Sequence, residues 1–470
     1  MRVDRRGFVA AAGIAGGLAL AIPREASARG KPAPRVAPPT APRLPGSGLR
    51  IDPREFGARA DGRTKDTAAI QQALDRCAVL GGGEVVLSGG TFLTGAIRIG
   101  SSTTLSLAQD ALLRGSDDLA DYPVTQVRWE GRWIPGYIGL VSAQGARDVR
   151  LVGKGRIVAS RAIRGRVAAS GLRHPALLEF VDVQRLAVAG LTTEQNDMWS
   201  IHPVYCEDVL FEGLVVHGGA DGIDVDSCRR VAIARCTFDT ADDCISLKSG
   251  RGLEGHALAR PTEDVAIADC TFTDRRWACI GIGSETSGGI RRVSVDRCRF
   301  LSAYTFSIYI KSRPGRGAFI EDIAMRDLEV GSAGDGFLRL NFLDSGKQDP
   351  FPVPGDEGIP QVRRLSFERV RVADVPTLVQ ATSIHPAKPV EGFVLRAITG
   401  AAERGIFLAN MRDVVLESVA VTVRSGAALS TANVTGRGLA GAAALEPTPA
   451  PPPVAPDPVP YRLGMTGTPN

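Results

Sequence analysis

Long helical patterns, net charge in the body of the chain and apolar runs of membrane-spanning length are all scarce in these 470 residues. The missing helices argue against leucine-rich and ankyrin-type arrays, whose units carry them. The formal charge of +5 hides a division: residues 1–50 carry +7, which leaves −2 for everything after them. A body so near neutral gives no support for nucleic-acid binding. It suits an acidic polysaccharide only where local cations such as Lys248 and Lys311 do the work. The apolar run from Phe8 to Ile22 is shorter than the ~20 residues a spanning helix needs. It follows Asp4-Arg5-Arg6-Gly7 and precedes Ala26-Ser27-Ala28, the layout of a twin-arginine export signal. Residues 1–28 are therefore expected to be an export signal, and the mature protein to be periplasmic or secreted with no membrane part. Residues 29–50, rich in Pro, Arg and Ala, read as a linker. Residues 438–470, with Pro447, Pro449 and Pro451 to Pro453 among them, read as a disordered Pro-rich tail. Eight cysteines in an exported chain invite a disulfide reading. A Cys206–Cys228 bridge is conceivable, but the packing of cysteine as a small hydrophobe favours buried free thiols.

What the chain does have is a repeat. A pattern of two polar residues followed by alternating apolar positions recurs from Ala146, Val183, Cys206, Cys228, Thr262, Ile290, Ile320, Val362, Val390 and Met411. The intervals run from 21 to 42 residues, as in a solenoid with loops inserted on its turns. Each unit holds at least one half-buried strand, such as Val231-Ala232-Ile233-Ala234. The expected fold is all-β: a right-handed parallel β-helix over residues 51–437, able to be a monomer once its ends are capped. A short amphipathic helix, with Asp66 as N-cap and Ile70, Ala73, Leu74 and Cys77 on one face, is expected to cover its N-terminal end.

The repeat gives phase to the chemistry. Asp221-Gly222-Ile223-Asp224-Val225-Asp226-Ser227 and Asp243-Cys244-Ile245-Ser246-Leu247-Lys248-Ser249 align with a shift of 22 residues. In a coil with turns of that length, equal phase means stacked strands roughly 4.8 Å apart. Asp221, Asp242 and Asp243 are then crowded into one patch, where like charges push pKa values apart. Inward positions form apolar ladders: Ile223 and Val225 over Ile245 and Leu247, then Ile280 and Ile282, then Ile308 and Ile310. The outward positions Asp224, Asp226, Ser246, Lys248, Gly281, Gly283, Tyr309 and Lys311 form a polar strip suited to the floor of a sugar groove. His202, near the start of the Asp221 rung, is placed as a candidate groove contact, with a purely structural role as the alternative. Trp277 is either a packing residue or an aromatic wall for a sugar.

The segments Asp221-Gly222-Ile223-Asp224, Asp242-Asp243-Cys244-Ile245 and Ile282-Gly283-Ser284-Glu285 resemble those of the family 28 glycoside hydrolases, the polygalacturonase family. The resemblance spans about residues 50–437. It implies an inverting, metal-free and cofactor-free hydrolase of pectic chains. In that reading Asp242 is the general acid, and Asp221 and Asp243 activate water. An inverting site generally separates its two carboxyl groups by roughly 6.5–9.5 Å. Three motifs depart from the family pattern. Its Asn-Thr-Asp is here Gly219-Ala220-Asp221, its Gly-His-Gly is Arg276-Trp277-Ala278, and its Arg-Ile-Lys is Tyr309-Ile310-Lys311. Asp224, Lys248, Tyr309, Lys311, Trp277 and His202 are the expected substrate contacts. The lost arginine opens rhamnogalacturonan or another pectic chain as the substrate. Two further readings stay open: a calcium-dependent lyase using the aspartates as ligands, and a non-catalytic glycan-binding coil.

Overall fold

A computed structural model describes residues 18–19, 39, 48–452 and 454–455. The expected export signal, but for residues 18–19, most of the linker, and residues 456–470 of the expected tail lie outside the described residues. From Arg50 onward the chain winds into one continuous parallel sheet, a right-handed β-helix. A typical rung has three strands, such as Ile223–Asp226, Arg229–Ala234 and Thr237–Thr240. The next rung repeats them as Ile245–Lys248, Thr262–Ala268 and Thr271–Asp274.

The register follows the apolar alternation. Ile223 pairs with Ile245, Ile280 and Ile308 in succession, and Val225 with Leu247, Ile282 and Ile310. All eight are buried, so each column is a continuous apolar ladder down the core. Phe238, Phe272 and Phe300 stack similarly, with ring centroids 5.4 and 5.0 Å apart. The eight cysteines are all buried and unbridged.

Polar residues at the turns add a second kind of ladder. Consecutive rungs superpose Asp148, Arg185, Asp208, Arg230, Asp264, Arg292, Asp322 and Arg364. Each has a left-handed backbone with φ between +54° and +58°. Signs alternate, so Asp208, Asp264 and Asp322 each lie between two guanidinium groups and like charges in the column are two rungs apart. Four bidentate pairs form, with the Nε donors of Arg185, Arg230, Arg292 and Arg364 each 2.6 Å from an aspartate oxygen. An isolated exposed pair contributes little, but bidentate pairs linked in a row are the favourable case.

The N-terminal cap is the helix Thr67–Val79, whose buried face is Ala69, Ile70, Ala73, Leu74 and Cys77. Asp66 does not cap it by side chain as expected. Its carboxylate instead accepts the backbone N–H groups of Arg59 and Ala60 at 2.7 and 3.0 Å, tying the helix to the preceding turn. The expected disordered tail also differs, because its first part still finds backbone partners on the coil. Ala443–Ala444 pairs with Ser430 and Thr431, and Gly355 N–H donates to the Val454 carbonyl at 3.0 Å. Among the described residues no helix is long and apolar enough to cross a membrane.

Candidate active site

The turns that lead into successive first strands of the rungs share one face of the coil. They carry Met198 and Trp199, then Ala220 and Asp221, then Asp242 and Asp243, then Arg276 and Trp277, all of which line a cleft of about 450 Å³. Lys248, Gly283 to Glu285 and Lys311, from the far ends of those strands, line it as well. Trp129, Glu130, Ser345 and Gly346 complete the walls.

Equal phase has the expected consequence. Gly222 N–H donates to the Asp243 carbonyl at 3.0 Å, and one oxygen from each of Asp221, Asp242 and Asp243 lies within 4.8 Å of the others. That facing-oxygen spacing is tighter than the interval expected for an inverting pair. Room for Asp243 comes from Gly281 on the next rung, where a Cβ would collide with its carboxylate. Asp242 is the most accessible of the three, and its Oδ1 accepts the Asp243 N–H at 2.9 Å. Asp221 and Asp243 are buried. Burial, reinforced by the charge of Asp224 and opposed by Lys248, raises Asp221 well above the usual carboxylate range. Burial likewise pushes Asp243 up to about 6, with Lys311 opposing and Asp242 adding to the rise.

Two lysines offset part of the charge of the cluster. Lys311 Nζ donates to Asp243 Oδ2 at 2.8 Å, and Lys248 Nζ to Asp221 Oδ2 at 3.4 Å. Lys248 also pairs with Asp224 and sits 3.9 Å over the Trp199 ring. Three oxygens from Asp221, Asp242 and Asp243 are the group here that a cation would use. The lysines already supply positive charge beside two of them, which weakens the case for a calcium ion.

Three expected substrate contacts do not line the cleft. His202 and Asp224 do point outward from their strands but are fully buried beneath the cleft. His202 Nδ1 is 3.6 Å from Glu179 Oε1, and its ring packs edge-on against Trp199 with centroids 4.8 Å apart. Asp224 serves as the anchor of Lys248. Tyr309 is buried, and its hydroxyl is held by Asn341 Nδ2 and Ser345 Oγ, each at 3.2 Å. In each case an inserted segment or a neighbouring side chain covers an outward position. Lys248, Lys311 and Trp277 do line the cleft.

An insertion around Asn341 to Pro360 is legible in the sequence as a loop at a groove end, but the second covering segment is not. An antiparallel hairpin, Val124–Trp129 and Arg132–Tyr137, is inserted before the repeats begin. Its turn, Glu130-Gly131, has φ of +44° and +76°, the pair of positive values that a tight two-residue hairpin requires. Glu130 at the tip bonds Arg251 and Lys347, each at 3.1 Å, and Arg251 in turn bonds Asp349 at 2.9 Å. Hairpin and 342–360 loop are thereby tied together where Trp129, Glu130, Ser345 and Gly346 wall the cleft. Asp274 is a further missed residue. Its buried carboxylate accepts the N–H groups of Trp277, Arg276 and Tyr304 at 2.6, 3.2 and 3.3 Å and so fixes the turn that carries Trp277. A turn aspartate three residues before an aromatic was the available signal.

A parallel β-helix whose open cleft combines clustered carboxylates, lysines and an exposed tryptophan has the makings of a carbohydrate-active enzyme. The profile of the glycosyl hydrolases family 28 matches residues 82–336, more than half of the chain. The chain belongs to that family and is a glycoside hydrolase. It is 26% identical over 365 residues to a probable polygalacturonase of Vitis vinifera, covering 73% of each chain. Among solved structures, it shares its fold with an exopolygalacturonase of Thermotoga maritima: TM-score 0.64, 22% identity, 81% of this chain and 94% of that one. It does so too with a family 28 exopolygalacturonase of Yersinia enterocolitica: TM-score 0.71, 19% identity, 83% of this chain and 78% of that one.

Proposed function

We propose that this glycoside hydrolase cleaves pectic polysaccharide of the polygalacturonate type, with Asp242 as general acid and Asp221 and Asp243 orienting the attacking water. The observation that carries the assignment is the unequal setting of three adjoining carboxyl groups. Asp242 is accessible to a glycosidic oxygen, while Asp221 and Asp243 lie deeper, each beside a lysine. So close a cluster cannot ionise fully, which keeps one proton available for the leaving group. Inversion is proposed from the family, since the facing oxygens within 4.8 Å do not give the expected gap. The hairpin and loop that wall the cleft are read as a block at one end, which favours attack from a chain end. Export through a twin-arginine signal at 1–28 is part of the same proposal.

The test is incubation with polygalacturonate and, separately, rhamnogalacturonan in chelator. The expected result is steady release of saturated reducing ends from polygalacturonate, as mono- or disaccharide from the first minutes. Loss of activity in chelator, or product carrying a double bond, would instead indicate a metal-dependent lyase.

The titration of Asp243 gives a pH prediction. A carboxyl at about 6 in the folded chain, against an ordinary 3.8, binds its proton more tightly when folded. Its contribution to stability is therefore full below about pH 4 and is lost as pH rises to about 6. The denaturant midpoint of the wild type, relative to Asp243→Asn, is expected to fall across that window and to level off above it. A pH-independent difference would contradict the assignment.

A further inference from the structure

We propose that Arg276 holds the carboxylate of an acidic sugar in this cleft and, with Trp277, forms a binding subsite beside the reacting aspartates. The inference rests on the cleft being the glycan site and goes on to name the group that reads the sugar's charge. Five carboxylates, Glu130, Asp221, Asp242, Asp243 and Glu285, line the cleft with three cations. An anionic chain entering so acidic a groove needs a cation that is not already committed. Lys248 is engaged by Asp224 and Asp221, and Lys311 by Asp243. The charge of each is already matched by a buried carboxylate, whatever donors remain free. Arg276 is the third, and its exposed side chain has no ion-pair partner among the described residues. The adjacent Arg275 differs: it bonds Asp239 at 2.8 Å and the Gly218 carbonyl at 3.1 Å.

The backbone of Arg276 is also held in place. Asp274 grips the backbone N–H groups of Arg276 and Trp277, so the turn presents guanidinium and indole together. Trp277 is 40% exposed, which leaves the indole open to stack on a sugar ring. Lys311 Nζ lies 5.7 Å from that ring's centre and 2.8 Å from Asp243, which puts the subsite next to the carboxylate cluster. A planar guanidinium can take a carboxylate through two parallel hydrogen bonds, which a lysine cannot.

The experiment compares wild type, Arg276→Ala and Arg276→Lys on galacturonate oligomers with free carboxylates and on the same oligomers as methyl esters. Equilibrium binding is measured in parallel on an Asp242→Asn background. The expected result is a loss of about 10-fold to 100-fold in kcat/KM and in affinity for the acid oligomer with Arg276→Ala. The loss should be much smaller for the ester, with partial recovery in Arg276→Lys. Equal losses on acid and ester, or none on either, would overturn the proposal. Absence of turnover in wild type with acid-selective, Arg276-dependent binding would fail the hydrolytic reading of the substrate and leave this subsite standing.

Discussion

Asp242→Asn is expected to lower kcat by about 10³-fold while KM and thermal stability change little. A positioned general acid typically contributes 10²- to 10⁴-fold, and this one has no second carboxyl in an equivalent setting. Asp242 is the accessible member of the cluster, and the one bond its side chain accepts, from Asp243 N–H at 2.9 Å, can be kept by an amide oxygen. The substitution therefore removes the proton donor and one negative charge of the cluster while leaving that bond in place. Asp243→Asn is less clean, because it also breaks the 2.8 Å bond to Lys311. If Asp242→Asn kept more than about a tenth of the activity, the acid would have to be sought at Asp221 or Asp243, where burial already favours the protonated form.

Arg128→Met should have the largest effect on stability, about 3–5 kcal/mol in denaturant unfolding, together with loss of activity. The Arg128 side chain is completely buried where the hairpin meets the coil. Its Nε donates to Asp226 at 3.1 Å, its other arm reaches Glu254, and its guanidinium lies 5.5 Å from the Tyr205 ring and 5.7 Å from that of Trp133. Methionine fills similar volume but leaves Asp226 as an unpaired buried charge, the costly way of breaking such a pair. Trp129 and Glu130 follow Arg128 in the chain, so the wall of the cleft loosens with it. The double variant Arg128→Met, Asp226→Asn is expected to recover part of the stability but not the activity. A single variant within 1 kcal/mol of wild type would show that the hairpin is not anchored there.

The coil was readable because a strand's side chains alternate with period two and its rungs repeat that alternation in phase. Ile223, Ile245, Ile280 and Ile308 could be stacked on paper, and the same register brought Asp221, Asp242 and Asp243 together. Alternation tells which way a side chain points, not what covers it. His202, Asp224 and Tyr309 all point outward and are all buried. The covering pieces come from far along the chain: Arg128 and Asp226 are 98 residues apart, and Glu130 and Lys347 are 217 apart. No local pattern says onto which rung an inserted hairpin folds. The alternating aspartate and arginine column lay in the polar pair that opens each repeat, but its sign alternation has meaning only once the rungs are superposed.

The most direct test of the central claim is proton NMR of the first product released from polygalacturonate in chelator. The account predicts a saturated product whose new reducing end appears first in the inverted anomeric form, with no signal from Asp242→Asn on the same timescale. A product with a double bond would remove hydrolysis altogether. A retained anomer would contradict Asp221 and Asp243 as the residues that direct water onto the sugar.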